Sequence, residues 1–247
     1  MEWVDSMLQL LRRNREGFLQ LLFPPVCLSC QRIIRASAPL NFVCLDCFNT
    51  LSPVRREFIQ QAILHRLAPV HLDDLHIAVF FNPLTRVLIH QIKYAGMNHL
   101  ARCFAREVFR NFPFPYSPAE NAVVVPVPLH PLRRKERGYN QSEWIARGLF
   151  RDLHLPILTD LLRRIRHTRS QTRLNREERK ENVREAFRCR ESSRIAGRTV
   201  LLVDDVVTTG ATMNECARVL KDCGANRVVG FALATPMLND PAVDSEV

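Results

Sequence analysis

The sequence predicts an α/β fold: a largely parallel sheet flanked by helices, with a small cysteine-organised module ahead of it. Three observations carry this. From residue 76 onward, short apolar runs alternate with segments of helical period, the order that builds parallel sheets with right-handed crossovers. One of those runs, Ala122–Val127, is continuously apolar, as a strand buried on both faces requires, and Thr199–Val203 reads as another buried strand. Four cysteines in two Cys-x-x-Cys pairs fall between residues 27 and 47. A chain of 247 residues suits one medium domain with an appendage. The boundary is placed after residue 60, giving a module over 1–60 and an α/β domain over 61–247.

The elements follow in order. Residues 1–23 interleave Trp3, Val4, Met7, Leu8 and Phe18 with Arg12, Arg13 and Arg15 at helical spacing. Such a basic amphipathic helix packs on its own protein or lies on a membrane surface, and Pro24-Pro25 ends it. Residues 56–73 form a helical connection. His76–Phe81 is expected as a strand, and Leu84–Tyr94 and His99–Phe109 as helices. Asn111–Asn121, rich in proline and phenylalanine, is a loop. After the strand Ala122–Val127 comes a helix over Asn140–Leu153, then a basic, polar and mobile segment over Arg163–Lys180. The strand Thr199–Val203, the helix Ala211–Cys223 and the strand Arg227–Ala234 complete the domain, and Asn239–Val247 is a loose tail.

The formal net charge is +10. Between Arg133 and Arg198 there are nineteen Lys/Arg and nine Asp/Glu, a net of 19 − 9 = +10, so the whole excess sits in one stretch. A stretch of this kind holds polyphosphate, nucleic acid or an acidic membrane face, or is a solvated helical face. No basic leader with a small-residue cleavage site opens the sequence, and no run approaches the roughly 20 apolar residues that span a bilayer. A cytoplasmic location is expected, and there eight cysteines point to metal or free thiols before disulfides.

The most informative segment is Thr199-Val-Leu-Leu-Val-Asp204-Asp205-Val206-Val207-Thr208-Thr209-Gly210-Ala211-Thr212. The apolar run delivers the loop to the carboxyl edge of the sheet, where open α/β sheets bind ligands. The threonines supply hydroxyl donors, and Gly210 lets the backbone turn tightly. The helix that follows directs free N–H groups and its positive end at an anion. The two acids suit ribose hydroxyls or a divalent cation beside them. A plain strand-to-helix turn explains one threonine as an N-cap and leaves the paired carboxylates unexplained.

This segment resembles the 5-phosphoribosyl-1-pyrophosphate motif of type I phosphoribosyltransferases, so the fold expected is a type I phosphoribosyltransferase-like parallel sheet. The resemblance implies that Asp204 and Asp205 contact the ribose hydroxyls, as the catalytic acids, and that Val207, Thr208, Thr209, Gly210, Ala211 and Thr212 cradle the 5′-phosphate.

Two further segments, Val125-Pro-Val-Pro-Leu-His130 with Arg133–Gln141 and Gln171-Thr-Arg-Leu174 with Arg179, Asn182 and Ala186-Phe187, join the cysteine set in resembling the ComF family, whose members include proteins of natural competence and DNA utilisation. In related phosphoribosyltransferases the loop equivalent to Val125–Gln141 binds pyrophosphate, which assigns Arg134, Arg137, Gly138, Asn140 and Gln141 to that ligand; a basic surface turn is the alternative. Arg163–Arg184 is then a flexible lid, with Arg169, Gln171 and Arg179 as its contacts, or a solvated helix laced with ion pairs. Lys93, at a helix end, either reaches the site or is a surface lysine.

The spacing Cys27-x2-Cys30-x13-Cys44-x2-Cys47 can set four thiolates tetrahedrally around Zn²⁺. Four sulfurs leave no open position, so such a site is structural, a zinc ribbon. Cys103, Cys189, Cys216 and Cys223 fall on apolar faces and are expected in the core. Two functions remain. One is an enzyme that binds 5-phosphoribosyl-1-pyrophosphate with Mg²⁺ and transfers the phosphoribosyl group to an unidentified nucleophile. The other is a single-stranded DNA adaptor of the competence machinery built on the same fold, since fold alone does not fix function.

Overall fold

The computed structural model describes residues 23–34, 38–114, 117, 119–166 and 183–237. The helix expected over the first 23 residues, Phe23 apart, and the tail lie outside them. The chain separates into two units, residues 1–50 and 51–247. This break precedes the boundary placed after residue 60. Residues 51–60 join the second unit: Val54 N donates to Ala78 O (3.0 Å), Phe80 N donates to Ser52 O (2.9 Å), and Ile59 is buried in that unit's core.

In the first unit, antiparallel bridges Val26↔Ile33 and Leu40↔Val43 close two tight turns. Each turn presents one Cys-x-x-Cys pair. Cys27 N donates to Arg32 O (2.9 Å) and Gln31 N to Cys27 O (2.9 Å). A single helical turn, Leu45–Phe48, carries Cys47 of the second pair, with Cys44 as its N-cap.

The second unit begins its sheet with β1, Asp74–Phe80. Helix α1 spans Pro83–Tyr94. It starts where it does because Asn82 Oδ1 accepts from Thr85 N (2.9 Å) while Thr85 Oγ1 accepts from Asn82 N (2.8 Å), a reciprocal cap with proline at the first helical position. Then come α2, Asn98–Asn111; β2, Val123–Pro126; α3, Pro131–Arg137; and α4, Gln141–Leu149. The chain continues through β3, Leu162–Arg164; β4, Phe187–Cys189; β5, Thr199–Val206; α5, Ala211–Asp222; and β6, Arg227–Thr235. The main sheet has the order β1-β6-β5-β2, and every pair in it is parallel.

Strand alternation gives the sheet two buried faces. Val200 and Leu202 of β5 share a core with Met213, Cys216, Ala217 and Leu220 of α5. Leu201 and Val203 point the other way and are equally buried. On that side Phe150, just past α4, meets Phe231 of β6 edge-on at 5.2 Å. Helix α4 lies so close to α2 that a Cβ on Gly148 would stand 2.4 Å from Arg102 O and 3.0 Å from Ala105 Cβ. Gly148→Ala is therefore expected to cost about 1–3 kcal/mol, read as a lower urea midpoint at unchanged slope.

Three expectations change. The segment Arg133–Arg137, read as a basic loop, is helix α3. His130 Nδ1 accepts from Leu132 N (3.3 Å), Pro131 opens it, and Gly138 at φ 79° ends it; between them stand good helix formers. The start of the segment read as mobile, Arg163–Lys180, instead pairs: β3 and β4 form a separate antiparallel ribbon with Arg163 opposite Arg188. Cys189 and Cys223, expected as unpaired core thiols, are joined in a disulfide that ties β4 to the residue after α5. That expectation rested on redox compartment, and spacing along the chain gave no sign that β4 runs beside α5. Cys216 is buried as expected, while Cys103 is half-buried. Among the described residues no helix is long and apolar enough to cross a membrane.

Candidate functional site

Strand β5 runs on to Val206, so both acids lie on the strand's last turn of pleat rather than beyond its end. Val206 through Met213, together with Asp204, line an open cleft of about 240 Å³. Gly210 holds φ 78° and opens α5. A Cβ there would meet Ile63 Cγ2 at 2.8 Å and Leu67 Cδ1 at 3.3 Å, so both backbone angle and space demand glycine. Thr209 Oγ1 accepts from Ala211 N (3.4 Å). The first turn of any helix leaves N–H groups without intrahelical acceptors, and those of α5 open towards the cleft that Thr208, Thr209 and Thr212 line.

The two acids part company. Asp204 lines the cleft, and its Oδ1 accepts from Ser142 Oγ (3.0 Å) and from the N–H of Asp205 (2.9 Å). Asp205, next along the pleat, points to the opposite face and is 6% exposed. There its Oδ2 stands 3.3 Å from Lys93 Nζ, itself buried. Burial pushes the Asp204 carboxyl up to about 8, with the charge on Asp205 adding to the effect. Burial works against charge on Asp205 too, but Lys93 and Arg137 outweigh it and hold that carboxyl below its ordinary value.

The segment after β2 is bonded onto the same corner. Val127 N donates to Val203 O (2.8 Å), and Asn140 Nδ2 donates to Val127 O (3.0 Å). Asn140 Oδ1 accepts from Ser142 N (3.2 Å), capping α4. The Tyr139 hydroxyl donates to Ile92 O, which fastens this segment to the end of α1. Arg137 Nη1 donates to Gln141 Oε1 (3.1 Å) and covers the Tyr94 ring at 5.4 Å.

The structure thus brings Asp204, Asp205, Val207, Thr208, Thr209, Gly210, Ala211 and Thr212 together with Arg137, Gly138, Asn140 and Gln141 at one sheet corner. Arg134 stays solvent-exposed on α3. Arg169, Gln171 and Arg179 lie outside the described residues. Ser142 was missed, because its contact with Asp204 spans 62 positions and no local motif marks it. Lys93 proves to reach Asp205. Its sequence signal was weak, because only the fold sets the end of α1 against β5.

In the first unit the sulfurs of Cys27, Cys30, Cys44 and Cys47 all lie within 4.8 Å of one another, the arrangement that holds a metal ion. The Arg32 guanidinium donates to Cys30 Sγ (3.5 Å) and holds that thiol at about 6. Burial, then the neighbouring sulfurs, push Cys47 up to about 12. Four such groups cannot all carry charge together unless a cation joins them, which is the chemistry of a metal-binding quartet.

Residues 103–237 match the family model described as phosphoribosyl transferase domain. Competence protein F of Haemophilus influenzae is 32% identical over 159 residues, 63% of this chain and 69% of that protein. DNA utilization protein YhgH of Escherichia coli K12 is 33% identical over 156 residues, 62% of this chain and 68% of the relative. Competence protein ComFC of Bacillus subtilis is 29% identical, covering 62% of this chain and 60% of its own length. With the matching domain laid over the parallel sheet and the cleft of Gly210, the chain belongs to the phosphoribosyl transferase domain family and, within it, to the ComF family.

Proposed function

We propose that the cleft at the end of β5 binds 5-phosphoribosyl-1-pyrophosphate and that the protein transfers its phosphoribosyl group to a nucleophile. The observation that carries this reading is the left-handed Gly210 turn, which opens α5 beside a carboxylate at the end of a central parallel strand. The amides of the turn suit a 5′-phosphate, and Asp204 suits a ribose hydroxyl. Arg137 and the segment to Gln141 suit pyrophosphate. Among the described residues, the one converging set of three or more His, Cys, Asp or Glu is the cysteine quartet. The acid pair therefore fits Mg²⁺ as an ion carried by the pyrophosphate and met by Asp204, not as a cage of protein ligands. Magnesium would supply charge neutralisation on the departing pyrophosphate. Calorimetry with the ligand and Mg²⁺ is expected to show binding that Asp204→Ala weakens by about tenfold or more. No heat at millimolar ligand removes the reading.

A second reading rests on the ribbon, where the exposed Arg163 and Arg188 stand directly opposite each other. Facing like charges are unfavourable, and a bound polyanion relieves them. With relatives named for competence and DNA utilisation, this supports a single-stranded DNA adaptor within the competence machinery. Titration at several salt concentrations separates the two: steeply salt-dependent DNA binding, indifferent to phosphoribosyl pyrophosphate and to Asp204→Ala, favours the adaptor. The quartet, on either reading, is a structural Zn²⁺ site, closed to substrate by its four sulfurs.

A further inference from the structure

The paired acids look interchangeable in sequence and are not so in place. Asp204 lines the ligand cleft. Asp205 is turned through the sheet, with both its carboxylate and its partner Lys93 about 9% exposed. Asp205 Oδ1 accepts from Val206 N (2.9 Å). Its Oδ2 has Lys93 at 3.3 Å and, among the described residues, no hydrogen-bond donor in good geometry. Lys93 stands one residue after Ile92, whose carbonyl accepts from Tyr139, and Tyr139 precedes Asn140, the cap of α4. Ser142 of that helix donates to Asp204. The end of α1, the segment 137–142 and the end of β5 are thus joined in one ring of contacts, of which the Lys93–Asp205 pair is the buried side.

We propose that Asp205 is a positioning residue rather than a ligand contact: with Lys93 it forms an internal ion pair that fixes the end of α1 against β5 and so sets Asp204 and Ser142 for the ligand. Asp204 alone then meets ribose. The pair stands on its own geometry; only its effect on the ligand rests on the phosphoribosyl pyrophosphate reading.

A double-mutant cycle tests it. Removing one partner of a buried pair strands the other, whereas removing both does not. Asp205→Asn and Lys93→Met are each expected to lower the melting temperature by roughly 10 °C, and the double variant to regain at least half of that loss, a coupling that independent sites do not show. Lys93→Arg should keep most of the stability. Additive losses in melting overturn the pair whatever the ligand is. In calorimetry with phosphoribosyl pyrophosphate and Mg²⁺, both single variants should bind about tenfold more weakly or worse, and the double variant should recover affinity. If the double variant is as weak as Asp205→Asn alone, Asp205 touches the ligand and the proposal is wrong. If wild type itself does not bind, the functional reading fails while the melting cycle still decides the pair.

Discussion

Gly210→Ala is expected to lower the melting temperature and to weaken phosphoribosyl pyrophosphate binding about tenfold or more, out of proportion to the single methyl added. Two costs combine. A left-handed backbone at φ 78° costs an L-residue roughly 1–2 kcal/mol. The new Cβ would stand 2.8 Å from the buried Ile63 Cγ2 and 3.3 Å from Leu67 Cδ1, and overpacking of that kind costs about 1–3 kcal/mol. At roughly 2–4 °C per kcal/mol for a domain of this size, the fall is about 4–20 °C. Relief of the clash moves the turn, and with it the amides of the first turn of α5, which is why affinity falls as well. Gly197→Ala is the control. It has φ 70° with nothing within 4 Å of a Cβ, so it carries the backbone cost alone and should leave affinity intact. Equal melting and equal affinity for Gly210→Ala would show that this turn does not hold the ligand.

That glycine was legible from sequence because its neighbours are local: an apolar strand, acids, threonines and a helix in one unbroken run. The same locality exposed β5, β6, α1, α2 and α5, whose apolar period is written in consecutive residues. What was hidden is what crosses the chain. Strand alternation alone says that Asp204 and Asp205 face opposite ways, yet the residues were read as a pair because they were taken to lie past the strand, and β5 in fact continues to Val206. Lys93 meets Asp205 across 112 positions, and Cys189 meets Cys223 across 34; neither spacing is a motif. Helix α3 was missed for a different reason. Its charge drew attention to binding, although Pro131 and Gly138 mark a helix start and stop by the ordinary rules.

The second large effect concerns the cysteine quartet. Among the described residues of the first unit, the sulfurs of Cys27, Cys30, Cys44 and Cys47 pack with Ile34 and Ala38 in one small cluster, and Leu40, Val43 and Phe48 are the only other buried apolar side chains. Apolar burial on that scale cannot offset the entropy of ordering two turns and a helical turn. A structural zinc contributes an apparent binding free energy of about 10–16 kcal/mol at neutral pH, which is the right size to do so. Purified protein is expected to carry about one zinc per chain by elemental mass spectrometry. Cys44→Ser, or a strong chelator, should remove it and open residues 27–47 to proteolysis. Cobalt substitution should give the sulfur charge-transfer bands of a tetrahedral thiolate site. Uptake must weaken as pH falls, because thiols give up their protons to bind, and Cys47, pushed up to about 12 by burial and the neighbouring sulfurs, is the one that most needs the metal to do so. A metal-free protein in which residues 27–47 resist protease as well as before would leave the quartet as four reduced thiols with some other source of order.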